Sequence, residues 1–152
     1  MRNRHNHARC ISAAMAGADE VCRRNNLRFT RIRRRVLELI WRSHRPTPAY
    51  ALLRQLRREK RNAEPPTVYR ALDFLLEHSL AHKIESLNAY VGCSRPSGRH
   101  GGQFLICSGC QQVAELDDPH LRRIIAAKAA RAGLEAARQT VEITGRCPEC
   151  RA

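Results

Sequence analysis

Residues 65–77 read PPTVYRALDFLLE, and this stretch decides how the rest of the chain is organised. Two prolines stop whatever precedes them, and Thr67 stands where a helix N-cap belongs. Val68, Ala71, Leu72, Leu75 and Leu76 recur at i, i+3, i+4, i+7 and i+8, an apolar stripe that predicts packing against a core. The other face carries Tyr69, Arg70, Asp73 and Phe74. An arginine and aromatics on the outward first turns of a capped helix suit insertion into a DNA major groove. The same residues suit an ordinary amphipathic surface helix, and the helix alone leaves both readings open.

Upstream, Thr47-Pro48 reads as an N-cap followed by proline at the first helical position. The helix from there to about residue 61 buries Leu52, Leu53 and Leu56 and carries Tyr50 near its start. Before it, Thr30 caps a helix with Ile32, Val36, Leu39 and Ile40 inward and Arg31, Arg34 and Arg35 outward, where the arginines either bind phosphate or are merely solvated. A short helix over 13–25 precedes that, and the basic, polar residues 1–12 read as a disordered tail. Downstream, 81–85 and 89–93 are short β-like runs joined by Ser86-Leu87-Asn88. A hairpin placed directly after such a helix is a wing. The expected domains are therefore a winged helix-turn-helix over 13–93, a Pro/Gly/Ser-rich linker over 94–102, and a second unit over 103–152. That second unit reads as a strand to Cys107, a strand over 111–116, a helix capped by Asp118-Pro119 and running to about Arg131, and a strand over 137–144. The fold class is α+β, and so small a sheet cannot bury both faces alone, which predicts dimerisation.

Charge points to the partner. The chain has 152 residues with 28 Lys+Arg against 14 Asp+Glu, a net charge of +14. Residues 1–93 hold +11 of it and residues 94–152 only +3. Such a field favours a phosphate backbone or anionic lipid, and it sits on the half that carries the helix-turn-helix. No stretch approaches the ~20 apolar residues of a membrane span. The run 11–18 is too short and too Ala-rich for a signal peptide, so the expected compartment is the cytoplasm, with reduced thiols.

Seven cysteines argue against a full disulfide framework, and two close pairs point to metal. Cys107-Ser-Gly-Cys110 and Cys147-Pro-Glu-Cys150 are C-x2-C knuckles, and two such knuckles complete a closed, structural zinc tetrahedron. His82, Cys93, His100 and Glu115 all fall around the junction of the two halves, and two nitrogens, a thiolate and a carboxylate make a competent second zinc set. No nucleophile-base pairing or phosphate loop suggests an enzyme or a small-molecule substrate.

PPTVYRALDFLLE, then HKIESLNAYVGC, then His100 separated by six residues from a CxxC with Glu115 five residues on, and a terminal CxxC, together resemble the zinc uptake regulator branch of the ferric uptake regulator superfamily. The resemblance spans about residues 19–150 and implies a homodimeric repressor with an N-terminal winged-helix DNA-binding domain and a C-terminal α/β dimerisation domain. It implies two zinc ions per chain: a structural one on Cys107, Cys110, Cys147 and Cys150, and a sensing one on His82, Cys93, His100 and Glu115. It places Tyr50 and Arg70 on a palindromic operator, with Thr67 and Tyr69 beside them. Arg99-His100-Gly101-Gly102 stands where the iron-sensing relatives carry a His-His-Asp-His-like cluster, and this, with the soft Cys93 thiolate, favours zinc. The implied function is a zinc-responsive repressor of zinc uptake genes.

Overall fold

The computed structural model describes residues 7–43, 45–59, 61–96 and 102–151. The chain divides into two compact units, Arg2–Gly98 and Arg99–Ala152.

In the first unit, α1 (His7–Arg24) starts a full turn and more before residue 13. Residues 7–12 are thus helical and not part of a disordered tail. The apolar spacing explains the difference: Ile11 and Ala14 extend the stripe of Met15, Ala18, Val21 and Cys22 back along the helix, and all pack on the common core. α2 (Arg31–Trp41) is capped as expected, the Thr30 hydroxyl accepting from the Arg33 N–H at 3.4 Å, and it buries Val36, Leu37, Leu39 and Ile40. α3 (Ala49–Glu59) buries Leu52 and Leu56. Thr47 does not act as its side-chain cap. Its backbone pairs with Tyr90 instead, Thr47 N–H to Tyr90 O at 2.8 Å and Tyr90 N–H to Thr47 O at 3.0 Å. Pro48 O closes the first turn of α3 by accepting from Ala51 and Leu52.

α4 (Pro65–Glu77) begins at the prolines themselves. Proline lacks only an N–H that the first turn leaves unbonded anyway, so Pro65 and Pro66 open the helix and Glu64 is the N-cap. Thr67 is therefore inside the first turn and not the cap. Val68, Ala71, Leu72 and Leu75 are buried as the stripe requires, but Phe74 is buried too, at 7% exposure. The Arg33 guanidinium covers its ring at 3.7 Å and His78 meets it edge-on at 4.5 Å. Each fully buried Leu, Ile or Val here stabilises by about 1.5–3 kcal/mol, which is why this helix faces the core with fixed rotation.

After α4 the chain turns through Ser79 in the left-handed region (φ 54) into β1 (Ala81–Ile84), a 3₁₀ turn (Glu85–Leu87), Asn88 at φ 43, and β2 (Ala89–Gly92). β1 and β2 pair antiparallel from Ala81↔Gly92 to Ile84↔Ala89, forming the expected wing. Gly92 lies under the indole of Trp41, the chain's one tryptophan.

The second unit is a three-stranded sheet in the order β4-β3-β5. β3 (Gly102–Cys107) pairs antiparallel with β4 (Val113–Glu115) and parallel with β5 (Thr140–Gly145), α5 (Pro119–Arg131) forming the crossover. β4 is shorter than the 111–116 run because Gln111 sits at φ 58 and belongs to the turn of the first knuckle. β5 starts at Thr140, not 137. The Asp118 carboxylate caps α5, accepting from His120 and Leu121 at 2.8 and 3.2 Å, and these N–H groups, Leu121 foremost, hold its carboxyl below the ordinary range. Gln103, fully buried, grips the same residue's backbone through both amide atoms, donating to Asp118 O at 3.0 Å and accepting from its N–H at 3.2 Å. α5 buries no residue, and Ile124, Leu134 and Ile143 stand exposed.

A Cβ at position 92 would overlap Nε1 and Cε2 of the Trp41 ring, whose rigidity leaves little room to yield. Gly92→Ala is expected to destabilise the first unit by about 1–3 kcal/mol, read by urea unfolding; a midpoint equal to that of the unsubstituted protein would refute this contact.

Candidate metal centre and nucleic-acid interface

The sulfurs of Cys107, Cys110, Cys147 and Cys150 all lie within 4.8 Å of one another. Cys107 ends β3 and Cys147 follows β5, so the parallel pairing of those strands, which sets Cys107 beside Gly145, delivers both knuckles to one edge. Each knuckle is a tight turn: Gln111 N–H to Cys107 O at 2.8 Å closes the first, Cys150 N–H to Cys147 O at 2.9 Å the second. Ser108 N–H to Gly145 O at 2.8 Å ties one to the other. Cys110 Sγ and Cys147 Sγ are 3.9 Å apart. A zinc tetrahedron with Zn–S arms of ~2.3 Å has edges of about 3.8 Å, so the spacing fits the ion. The electrostatics fit as well. Backbone N–H groups of Cys110 and Cys147 hold the Cys107 thiol down to about 6, while the crowding sulfurs of Cys147 and Cys107 push Cys150 up to about 12. Four thiolates at this spacing need a cation, and the chemistry of the donor set is that of a closed zinc site.

Of the second set, His82 lies on β1, half-buried, and Cys93 follows β2, 2% exposed, with a ring nitrogen of His82 within 4.8 Å of the Cys93 sulfur. Wing pairing brings these two together: Ala81 faces Gly92 across the ladder, and Cys93 N–H donates to Leu80 O at 3.1 Å. Glu115 ends β4 in the other unit, half-buried. His100 lies outside the described residues.

On the polar side, Tyr69 is 52% exposed and Arg70 is exposed on the first turns of α4, with Thr67 half-exposed between them and the N-terminus. Tyr50, at the start of α3, is 69% exposed. Two aromatic rings and a guanidinium are thus open to solvent on the starts of α3 and α4. Arg34 and Arg35, expected beside them, are engaged elsewhere. Arg34 pairs with Asp19 of α1, and Arg35 bridges Glu38 at 2.7 Å and Glu59 of α3 at 2.9 Å. The two arginines staple α2 to its neighbours. Glu38 is an i,i+3 neighbour of Arg35, but Asp19 and Glu59 lie 15 and 24 residues away, beyond the reach of helical spacing. Gly109 is a further residue that the sequence reading passed over. A Cβ there would meet Cβ and Sγ of Cys150 at 2.9 Å, so the glycine is what lets the second knuckle close over the first. Had C-x-G-C been weighed as a steric pattern, it would have been found.

Gly109→Ala is expected to lose bound zinc faster to a chelator and to speed amide exchange over residues 147–151. Retention and protection equal to the unsubstituted protein would contradict this packing.

The pattern of the Ferric uptake regulator family matches residues 24–144. The chain is 38% identical to the Zinc uptake regulation protein of Escherichia coli (strain K12) over 139 residues, 90% of this chain and 80% of that protein. Among solved structures it resembles a zinc uptake regulator complexed with zinc and DNA, at 37% identity and a TM-score of 0.88, covering 93% of this chain and 95% of the other. It also resembles the crystal structure of holo XcZur, at 39% identity and a TM-score of 0.85, covering 93% and 98%. With a winged first unit, a four-cysteine centre and these relatives, the chain belongs to the ferric uptake regulator family, in its zinc uptake regulator branch.

Proposed function

We propose that this chain is a zinc-responsive transcriptional repressor of zinc uptake genes, with zinc acting as co-repressor for operator DNA. The observation that carries the reading is the His82–Cys93 pair at the root of the wing. A histidine nitrogen and a buried thiol set side by side there are soft and borderline donors suited to zinc. The Escherichia coli relative is a zinc uptake regulation protein, one similar structure is a zinc uptake regulator complexed with zinc and DNA, and the first unit exposes Tyr50, Tyr69 and Arg70.

Two zinc ions serve each chain. The four-cysteine ion is structural. The regulatory ion takes His82, Cys93, His100 and Glu115; because its donors belong to both units, binding favours one arrangement of reading head and scaffold over others. Coupling of this kind is typically ~1–3 kcal/mol, enough to switch operator occupancy over a narrow zinc range. The protein acts as a homodimer in the cytoplasm. Support for the dimer comes from the second unit, where α5 buries nothing and Ile124, Leu134 and Ile143 remain exposed. Ile143 and Leu105 also line an apolar groove of about 200 Å³. A second copy would cover such surface. A two-fold dimer presents two copies of α4 to successive major grooves, which a palindromic operator matches. Arg70 reads a base edge, with Thr67 and Tyr69 supporting it and Tyr50 on the backbone. The reading calls for no catalytic step.

Trp41 rests on Gly92, next to Cys93, and so provides an intrinsic reporter. Zinc added to chelator-treated protein is expected to change Trp41 emission and to restore DNA binding, and Cys93→Ser is expected to lose both while keeping the four-cysteine zinc. Zinc-dependent DNA binding retained in Cys93→Ser would sink the sensing assignment. Arg70→Ala should flatten base preference at one position per half-site, by about 1–3 kcal/mol in a competition assay; an unchanged preference would remove Arg70 from the reading face.

A further inference from the structure

We propose that the groove where the end of α2 meets α3 is a phosphate site that extends the DNA interface, taking backbone phosphates that flank the bases read by α4. The inference rests on the DNA-binding reading above. The groove, of about 210 Å³, is lined by Arg42, Arg54, Gln55, Arg58 and Glu59. Its one carboxylate already has a partner outside the lining: Glu59 accepts from Arg35 Nε at 2.9 and 3.2 Å. Arg42, the C-cap of α2, and the exposed Arg54 and Arg58 form no ion pair among the described residues. Three guanidiniums around one concavity, whose one acid is held foremost by Arg35 and more weakly attracted by Arg42, make an oxyanion site. The guanidinium fork matches two phosphate oxygens at once.

Helical spacing ties this groove to the proposed reading face. Tyr50, Arg54 and Arg58 follow one another at i, i+4 and i+8, so they line one side of α3. At ~1.5 Å per residue, Arg58 stands about 12 Å beyond Tyr50 along the helix, roughly three base steps of ~3.4 Å. A strand that meets Tyr50 near the read bases thus offers its next phosphates to Arg54 and Arg58. A carboxylate-bearing face of a second copy is the disfavoured occupant, because residues 1–93 carry a charge of +11 and repel their own kind.

The test compares two duplexes: the shortest one enriched by zinc-loaded protein from a randomised pool, and the same duplex lengthened by about ten base pairs of arbitrary sequence at each end. Binding is measured across a salt series. The unsubstituted protein is expected to bind the long duplex more tightly and with a steeper salt dependence. Arg54→Gln with Arg58→Gln should lower the slope of log K against log [salt] on the long duplex by about 0.9 for each arginine lost per protomer. Arg54→Lys with Arg58→Lys should keep most of that slope, since the charge remains. Equal slopes for the unsubstituted and Gln-substituted proteins on the long duplex overturn the proposal, as does a substitution that abolishes only cooperative loading of a second protein copy and leaves the slope alone. Failure to enrich any duplex would instead count against the DNA-binding reading itself.

Discussion

Four cysteine sulfurs within 4.8 Å of one another repel as thiolates until a cation divides their charge, and the second unit is arranged around that condition. Its three-stranded sheet is small, and α5 buries nothing. Zinc across Cys107, Cys110, Cys147 and Cys150 would fasten the end of β3 to the residues after β5. Metal affinity would then become folding free energy for a unit whose own core is slight. Inside that unit, Gln103 fixes the junction of β4 and α5 from beneath, so the segment that carries Glu115 leaves the sheet in a defined direction.

The first unit solves a different problem, which is to display a few polar residues on a helix that must not rotate. Buried Val68, Ala71, Leu72, Phe74 and Leu75 pin α4 on one side, and Tyr69 and Arg70 are exposed as a consequence. Arg33 over Phe74, Arg34 with Asp19 and Arg35 with Glu59 add cations that join α2 to α4, α1 and α3. These surface pairs are each worth at most ~1 kcal/mol. Their larger effect is to tie one basic helix to three neighbours at once.

Much of this was legible in the residues themselves. Paired C-x2-C knuckles, the stripe of α4 and the alternation of the wing are local patterns whose chemistry allows few readings. Prolines 65 and 66 mislead, because a proline that ends one element also opens a helix, and the N-cap position falls at Glu64 and not at Thr67. Phe74 misleads for a tertiary reason: it lies beside the helical stripe, and His78 four residues on covers only one edge of its ring, while Arg33, which covers its face, arrives from α2. The pairing of Arg34 with Asp19 and of Arg35 with Glu59, the grip of Gln103 on Asp118 and the seat of Trp41 on Gly92 join residues 15 or more positions apart, and no periodicity announces such contacts. The early start of α1 was readable in principle, since Ile11 and Ala14 continue its apolar spacing, but the polar composition of the tail outweighed two residues.

The central claim is that one zinc holds the protein together and another tells it what to do. Zinc per chain, measured before and after mild chelation alongside DNA affinity at fixed salt, tests it directly. The account predicts two ions, one lost easily, with DNA affinity falling as it leaves and returning when it is restored while the protein stays folded. A single tightly held zinc, with DNA binding indifferent to the chelator, would contradict it.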